Sequence, residues 1–469
     1  MVLETVKKKV IKKIINLSLN ASDKSLIGAI EIGEKFFIRN KDVLNQTKAV
    51  KKAFKEKHPS LHLVKTTFNR ISSNCRDKII ENFFINAGIF GTQKQKKLEK
   101  KLKINMPWFF VISPTAKCNL SCVGCYAHEY VKHKGLSFEE VDRILKEAKQ
   151  LGIYFITISG GEPFIWPHLF EILKKHNDMY FQIYTNGTLI DKEVAKKLSE
   201  IGNVSPAISV EGFEKFTNIR RGEGIFNKIM EAMDNLREAG VIFGFSATVT
   251  KINAETLMSD KFIDLMIKKG CSFGWYFQYI PIGKKPDTKL MASPKQRNKL
   301  RIRVDEIRNT KPIFIGDFWN DGHHIGGCIA GARHKGYFHI NCDGNVEPCV
   351  FLQFSVDNIK GKKLIDVIQS PFFKAIQAEQ PYCKNKNLLA PCAIIDHPNI
   401  LRKIIEKYHA KPSYKGGKDL IKDLKVIRFL DKYSKEYQKI TNPIWEKMHH
   451  KYKHWKDKSP QVIERLKYF

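Results

Sequence analysis

Short apolar runs alternate with amphipathic helical patterns through the middle of the chain. Runs such as WFFVISP, YFITISGG and YFQIYTNG are typical of buried strands, and a segment with apolar residues at helical spacing follows each. In the first such helix, Ser137 is the predicted N-cap, Glu140 its capping-box partner and Gly152 the end. About six strand–helix units fit between residues 108 and 310, fewer than the eight of a closed barrel. The pattern predicts an α/β fold, an open, partial (β/α)6 TIM-like barrel.

The segments on either side of this barrel have different patterns. The first residues combine a lysine-rich face with an apolar stripe made of Leu3, Val6, Val10, Ile14 and Leu17. After the barrel, YFHINCDGNVEPCVF alternates as a β-hairpin with Asp343-Gly344 as its turn, and the helical pattern KKLIDVIQSPFFKAIQ follows. We therefore predict four regions: a basic, mostly helical N-terminal region (1–103), the barrel (104–312), a hairpin-plus-helix extension (313–410) and a basic, aromatic helical tail (411–469).

Composition and charge narrow the class of protein. Hydrophobic residues make up 43% of the chain, as in globular proteins, and no apolar run is long enough to predict a membrane span. A net charge of +33 favours partners that carry phosphate, such as nucleic acid or an anionic lipid surface; a surface solvated by lysine is the alternative. Because the N-terminus lacks a secretory signal, the ten cysteines are expected in the reducing cytoplasm, where clustered thiols bind metal more often than they form disulfides.

Three of the cysteines stand in one loop directly after the first strand. Cys118, Cys122 and Cys125 have C-x3-C-x2-C spacing, and catalytic groups of such barrels lie at the carboxyl ends of the strands. Thiolates are soft ligands that suit zinc or an iron–sulfur cluster. A structural zinc site needs four ligands, for which His128 is the candidate. Three ligands instead leave one iron of a four-iron cluster open to substrate.

The loop CNLSCVGCYA resembles the signature of the radical S-adenosylmethionine (SAM) superfamily, and SGGEPF at the end of the second strand resembles its GGEP motif. The resemblance implies that Cys118, Cys122 and Cys125 hold a [4Fe-4S] cluster whose open iron chelates SAM. It further implies reductive cleavage of SAM to a 5′-deoxyadenosyl radical that abstracts hydrogen from a substrate. A simple iron–sulfur electron carrier is disfavoured, because GGEP would then have no purpose.

The same resemblance assigns roles around SAM. Gly160, Gly161 and Glu162 match GGEP and are expected to bind the methionine amino group. Further expected contacts are Tyr126 near the adenine, Ser209 and Glu211 at the ribose, and Arg221 at the SAM carboxylate. An exposed arginine near a helix start is the alternative for Arg221.

A second sulfur array follows the barrel. Cys328, Gly344 and Cys349 form C-x15-G-x4-C, which resembles half of a SPASM or twitch domain with one auxiliary [4Fe-4S] cluster. Cys328, Cys349 and Cys392 are the expected ligands, and Cys383 and Cys342 compete for the fourth place, which substrate could also fill. The alternative is that these are scattered buried thiols, the role we assign to Cys75 and Cys271.

Three substrate classes remain open from the sequence. A peptide is typical of SPASM enzymes, but residues 1–103 lack a strand-rich module to hold a leader peptide. RNA suits the charge, yet no RNA-binding module is recognisable, and no DNA is expected. We favour a membrane lipid, because the chain broadly resembles radical SAM proteins of lipid-tailoring pathways.

With a membrane lipid as substrate, the protein is expected to be a cytoplasmic enzyme that contacts the inner face of the membrane. Residues 1–17 would lie on the anionic headgroups as an amphipathic helix; the alternative is that this stripe packs on the barrel. The aromatic residues among the lysines of the tail are expected to contact a bilayer or nucleic-acid bases. The alternative is that they dock a terminal helix on the rest of the protein. A one-electron reductant such as ferredoxin or flavodoxin is the other expected partner.

Overall fold

The computed structural model describes residues 28, 51–127, 135–283, 286–382 and 385–456. The predicted helix over residues 1–17 therefore lies outside the described residues. Within them, the dominant feature is one ten-stranded sheet that is parallel except at one end. Its seven parallel barrel strands, in spatial and chain order, are β1 Phe109–Ile112, β2 Phe155–Ile158, β3 Tyr180–Thr185, β4 Val204–Ser209, β5 Gly244–Val249, β6 Phe273–Gln278 and β7 Phe314–Asp317.

Helices follow most of these strands and cover the outside of the barrel, which confirms the predicted partial barrel. The first is capped as expected, since the Ser137 and Glu140 side chains and backbones form a reciprocal capping box. The helices of this part are α4 Phe138–Gln150, α5 Leu169–Lys175, α6 Lys192–Ile201, α7 Glu214–Arg221, α8 Ile225–Glu238, α9 Ala254–Leu257, α10 Asp260–Lys269 and α11 Pro294–Thr310, with short 3-10 turns at Pro163–Ile165 and Thr288–Leu290. Three helices precede them in the chain and are numbered first: α1 Pro59–Arg70, α2 Ser73–Lys78 and α3 Thr92–Leu102.

The structure adds a seventh parallel strand to the six that the sequence predicts. Strand β7 pairs with β6 in the register Phe273↔Phe314. It is only four residues long, and its first residue, Phe314, is exposed, so its hydrophobic pattern is weak. Strand β7 lies at an edge of the sheet and leads into the C-terminal extension.

The N-terminal helices close the amino end of the barrel. A π-helical stretch, Ile79–Gly91, joins α2 to α3, and its Phe83 packs edge-on against Trp108 and Phe155 at ring-centroid distances of 5.6 and 5.2 Å. The buried Asn82 side chain donates to the carbonyl oxygen of Met179, 2.9 Å away, just before β3. These contacts bury apolar surface at the strand starts and leave the carboxyl ends of the strands for chemistry.

The C-terminal extension continues the same sheet. The predicted hairpin is present as β8 His339–Ile340 and β9 Asn345–Glu347, with Gly344 at φ +85° in the turn. Strand β8 pairs in parallel with β1, so the extension joins the first barrel strand directly. The remaining elements are α12 Gly322–Ile325, β10 Phe354–Ser355, β11 Asp357–Asn358, α13 Leu364–Ile368, α14 Pro371–Ala378, α15 Pro398–Lys407, β12 Lys411–Pro412, a 3-10 turn at Lys415–Lys418, α16 Asp419–Lys422 and α17 Leu424–Lys456.

The long helix α17 docks on the body of the protein. Tyr433 and Tyr437 are buried, and the Arg297 guanidinium of α11 lies 3.8 Å from the centre of the Tyr437 ring. This part of the tail therefore follows the docking alternative. Among the described helices, none combines the length and the apolar composition that a bilayer crossing requires.

Candidate active site

The three-cysteine loop begins at the carboxyl end of β1, as predicted. Cys122 is buried, Cys125 half-buried and Cys118 exposed. The Leu120 amide donates to the Cys118 sulfur at 3.4 Å, and the Arg221 Nη1 lies 4.0 Å from the Cys122 sulfur. Although the residue as a whole is exposed, partial burial of the thiol, with contributions from Glu162 and the other two cysteines, raises the pKa of Cys118 to about 11. A raised pKa disfavours the charged thiolate. Positive charge near these sulfurs, such as that of Arg221, would favour the thiolate form that binds iron.

The GGEP turn holds this loop in place. The Gly161 amide donates to the Thr115 carbonyl at 2.9 Å, and the Glu162 amide donates to the Lys117 carbonyl at 2.8 Å. A Cβ at Gly161 would collide with the Lys117 carbonyl oxygen, so only glycine allows this close approach. The two motifs, which are about 40 residues apart, thus form one backbone cradle.

The Glu162 carboxylate lies behind this cradle and ties two strand ends together. It is fully buried and accepts hydrogen bonds from the Thr185 hydroxyl and the Asn186 amide, both at 2.8 Å, after β3. Burial raises the pKa of Glu162 in spite of these donors. Gly160 and Gly161 line the central cavity in front of it. Contact between Glu162 and the methionine amino group stays a prediction.

Glu211 forms a buried ion cluster with two neighbouring arginines. Its carboxylate oxygen Oε1 lies 2.6 Å from Arg220 Nη1 and from Arg221 Nη2, and Oε2 accepts from the Thr248 amide at 2.9 Å. Burial alone would raise the pKa of Glu211, but the two guanidinium groups outweigh it and lower this pKa. In this arrangement Glu211 orients the arginines, and its expected contact with the ribose stays a prediction. The Arg221 side chain is only 9% exposed, which differs from the alternative of an exposed arginine. The sequence reading missed Arg220, although the adjacent pair was its signal.

Tyr126 and Ser209 both line the cavity above the strands. The Tyr126 hydroxyl lies 2.9 Å from Ser159 Oγ, and its ring packs on Phe351 with centroids 5.4 Å apart. Ser209 Oγ lies 3.3 Å from Ser246 Oγ. Ser209 is the last residue of β4, and Tyr126 follows the last cysteine of the loop; their contacts with adenosine stay predictions.

The spacing of the three loop thiols fits a cluster better than a single ion. Among the described residues, the sulfur atoms of Cys118, Cys122 and Cys125 do not all lie within 4.8 Å of one another. Zinc ligands, at about 2.3 Å from the metal for sulfur, lie closer together than that limit. His128, the fourth ligand of the zinc alternative, lies outside the described residues. The wider sulfur triangle suits a four-iron cluster.

The extension brings together a second set of thiols, from Cys328, Cys349 and Cys392. Burial raises the pKa of Cys349 to about 12, and the neighbouring Cys328 thiol contributes in the same direction. Burial also raises the pKa of Cys392, with contributions from both other thiols. The Cys392 amide donates to Asp396 Oδ2 at 2.9 Å, which fixes the loop that carries this thiol. These three neighbouring thiols, of which Cys349 is buried and Cys328 and Cys392 are half-buried, are a donor set that fits a second cluster.

The structure does not bring Cys342 to this set. Cys342 lies beside the hairpin turn and packs with Ala116 and Tyr414, whereas Cys349 follows the other end of β9. A hairpin of this length separates its turn from its open end by several residues. Cys383 lies outside the described residues, so the fourth ligand stays a prediction.

A cavity of about 1120 Å³ connects the cysteine loop with the barrel interior. Its wall is mainly apolar, with aromatic side chains that include Trp108, Phe109, Tyr184, Trp275, Phe277 and Phe351. The volume exceeds the roughly 300–1,000 Å³ of a typical small-ligand site. The cavity, whose wall includes the three loop cysteines, is therefore larger than one small ligand needs.

A thiol loop and a glycine cradle at the mouth of a partial barrel, with a second thiol set beside them, define an iron–sulfur enzyme that acts on SAM. The family description "Radical SAM superfamily" matches residues 112–263, and "Iron-sulfur cluster-binding domain" (SPASM) matches residues 328–393. The chain is an enzyme of the radical SAM superfamily with a C-terminal SPASM domain. The first domain binds a [4Fe-4S] cluster and SAM, and the second binds auxiliary iron–sulfur clusters. Enzymes of this superfamily need an external electron donor.

Similar proteins have diverse activities. The chain is 24% identical over 324 residues to the AdoMet-dependent heme synthase of Methanosarcina barkeri, covering 61% of this chain and 91% of that one. It is 31% identical over 250 residues to the mycofactocin maturase MftC of Mycolicibacterium smegmatis, covering 50% and 62%. The crystal structure of Streptococcus suis SuiB bound to precursor peptide SuiA shares the fold, with a TM-score of 0.51 and 19% identity, covering 61% of this chain and 70% of that one.

Tyr337 links the cavity wall to the second thiol set. Its hydroxyl donates to the Cys349 sulfur at 2.9 Å, and its ring stacks on Phe109 with centroids 5.2 Å apart. A hydrogen bond to a ligand sulfur stabilises the reduced, more negative cluster. Tyr337→Phe is expected to lower the reduction potential of the auxiliary cluster by roughly 40 mV, the equivalent of a hydrogen bond of about 1 kcal/mol. A redox titration followed by electron paramagnetic resonance measures this shift.

The matched control is Tyr276→Phe, which removes another buried hydroxyl, whose partner is the Leu257 carbonyl in the barrel. It should leave both cluster potentials unchanged. An unchanged auxiliary potential in Tyr337→Phe would contradict a role of Cys349 as a ligand.

Proposed function

We propose that this enzyme removes a hydrogen atom from an unactivated C–H bond of a large, mainly apolar substrate that carries an anionic group, and that this substrate is a membrane lipid. The observation that carries the proposal is the aromatic cavity that runs from the cysteine loop into the barrel. When bound, the cluster and SAM supply a deoxyadenosyl radical, and the chain supplies orientation and exclusion of water. An acyl chain contains only unactivated C–H bonds and suits an apolar wall.

The anionic group is inferred from the charge where the cavity reaches the surface. Arg333, His334 and Lys335 line the cavity next to the start of β1; the latter two are exposed, and His334 Nδ1 lies 2.7 Å from a Glu99 carboxylate oxygen. Arg333 donates to the carbonyl oxygens of Gly326 and Ile325 at 2.9 and 2.6 Å. No carboxylate of the described residues forms an ion pair with Arg333. Burial lowers the pKa of this guanidinium, and the neighbouring Cys328 thiol acts in the opposite direction; an anionic substrate group would offset more of the cost of burial.

A peptide is the second candidate substrate. It is supported by the similarity to the maturase MftC and by the shared fold with SuiB, a protein whose structure contains a precursor peptide. A peptide with apolar side chains and a carboxylate would meet the same wall and the same opening. The two candidates differ in the molecule that loses the hydrogen atom, and isotope transfer can distinguish them.

The experiment follows deuterium into 5′-deoxyadenosine. Cells of the source organism are grown in deuterated medium and separated into a lipid extract and a low-mass peptide fraction. Each fraction is incubated anaerobically with the reconstituted enzyme, SAM and dithionite, and the product is analysed by mass spectrometry. We expect deuterated 5′-deoxyadenosine from the lipid extract. Label from the peptide fraction alone would select the second candidate, and label from neither would contradict both.

A variant at the opening tests the anionic group in the same assay. Arg333→Gln should reduce deuterium transfer from dilute substrate about 10- to 100-fold, because a hydrogen bond to a charged group contributes about 1.5–3 kcal/mol. Formation of 5′-deoxyadenosine without substrate should not change. The control is Arg143→Gln, since Arg143 also donates to two backbone carbonyls, those of Ile359 and Lys362, and does not line the cavity. Equal effects of the two variants would rule out this anion site.

A further inference from the structure

Three metal-binding side chains converge away from the cysteine loop. Asp305 lies in the last part of α11, and His323 and His324 are neighbours in α12, between β7 and Cys328. One ligand atom of each residue lies within 4.8 Å of the other two. This cluster has no part in the proposed radical chemistry, and neither sequence motif includes it.

The two imidazoles approach the same carboxylate. His324 Nε2 lies 3.1 Å from Asp305 Oδ1, and His323 Nε2 lies 4.0 Å from Asp305 Oδ2. The second distance is too long for a hydrogen bond. Ligands of a tetrahedral metal ion with bonds of about 2.0–2.2 Å lie roughly 3 to 3.5 Å apart, so a small contraction would complete the set.

A neighbouring carbonyl orients the less exposed imidazole. His323 Nδ1 lies 3.2 Å from the carbonyl oxygen of Asn320 and is the donor in that contact. With its proton on Nδ1, His323 presents the lone pair of Nε2 towards Asp305. Metal-binding histidines commonly have their second nitrogen bonded to a backbone carbonyl in this way.

The Arg308 guanidinium contacts one carboxylate oxygen of Asp305 and leaves the other available to a cation. Arg308 Nη1 lies 3.2 Å from Asp305 Oδ1, and Arg308 Nη2 lies 2.5 Å from Asp321 Oδ2. Asp305 Oδ2 faces His323 instead. The His323 side chain is 11% exposed and the Asp305 side chain 37% exposed, so one side of the cluster is open to water.

We propose that Asp305, His323 and His324 bind one divalent transition-metal ion of the zinc class. Two imidazoles and one carboxylate are a donor set that suits such ions, and three protein ligands leave a position for water. The ion would connect α11 of the barrel with the segment that leads to Cys328. Metal that binds only the folded state would stabilise this connection.

The test measures zinc in the iron-loaded protein, in which the cluster thiols are occupied. The anaerobic holoenzyme is equilibrated with zinc chloride, passed through a desalting column and analysed for zinc and iron. The wild-type protein should retain one zinc per chain without losing iron, and its thermal midpoint should rise. In competition with a chromophoric chelator, Asp305→Asn should bind zinc at least about 10-fold more weakly.

The double variant His323→Gln/His324→Gln should retain no zinc at equal iron content. The control is His168→Gln, because His168 pairs with Glu171 at 3.7 Å and belongs to no group of three potential metal ligands among the described residues. It should retain zinc like the wild type. Absence of zinc from the wild type, zinc taken up in exchange for iron, or equal zinc in the double variant would overturn the proposal. None of these measurements uses SAM, so they are independent of the proposed substrate.

Discussion

Simultaneous replacement of Cys118, Cys122 and Cys125 by Ala is expected to remove about four of about eight irons per chain and to abolish SAM cleavage. The three thiols are the cluster ligands that the motif and its position after β1 indicate, and SAM has no open iron to bind without them. Iron analysis of anaerobically reconstituted protein gives the first quantity. Chromatography of 5′-deoxyadenosine formed with dithionite gives the second.

Two further variants make this result specific. Cys328→Ala/Cys349→Ala should lose the other irons but still cleave SAM slowly, because the first cluster remains. Cys75→Ala/Cys271→Ala removes two buried thiols, one in α2 and one just before β6, and should keep all irons. Formation of 5′-deoxyadenosine by the triple variant would contradict the central assignment. A wild-type content of only about four irons would instead contradict the auxiliary cluster.

The barrel was predictable because its signals are local. The capping box at Ser137 and the Asp343-Gly344 turn each depend on residues close in sequence, and the structure confirms both. The seventh strand depends on pairing with β6, a long-range contact that a four-residue pattern does not reveal. Closure of the barrel by Ile79–Gly91 likewise depends on packing between distant segments.

The candidate site, like the barrel, was predictable only where its residues are close in sequence. The cysteine loop and GGEP are contiguous motifs, so their residues could be named from the sequence. The ion cluster of Glu211 with Arg220 forms only when α7 folds back on β4, and the Tyr337 contact to Cys349 needs the hairpin. The distance of Cys342 from the other thiols also follows from the hairpin, because its two ends lie apart. The sequence motifs indicate which chemical groups the site contains, whereas the orientation of these groups depends on the tertiary fold.

The second large effect is expected from the buried ion pair that connects the barrel to the auxiliary thiols. Arg297 Nη1 lies 2.6 Å from Asp396 Oδ1, and both side chains are 0% exposed. Asp396 Oδ2 also accepts the Cys392 amide. Arg297→Met should lower the free energy of unfolding by about 3–5 kcal/mol, because it leaves an uncompensated buried carboxylate. Chemical denaturation followed by tryptophan fluorescence measures this loss.

The auxiliary irons should respond as well, since an unpaired Asp396 no longer holds the loop of Cys392 rigidly. Lys299→Met on the same helix is the matched control, because Lys299 and Glu255 form an exposed pair with side chains 62% and 60% accessible. Its cost should stay within about 0–1 kcal/mol. The double variant Arg297→Met/Asp396→Leu removes both charges and should recover part of the stability, since an apolar pair leaves no charge unpaired. Equal losses in Arg297→Met and Lys299→Met, or a double variant less stable than Arg297→Met, would show that this ion pair does not stabilise the junction between barrel and extension.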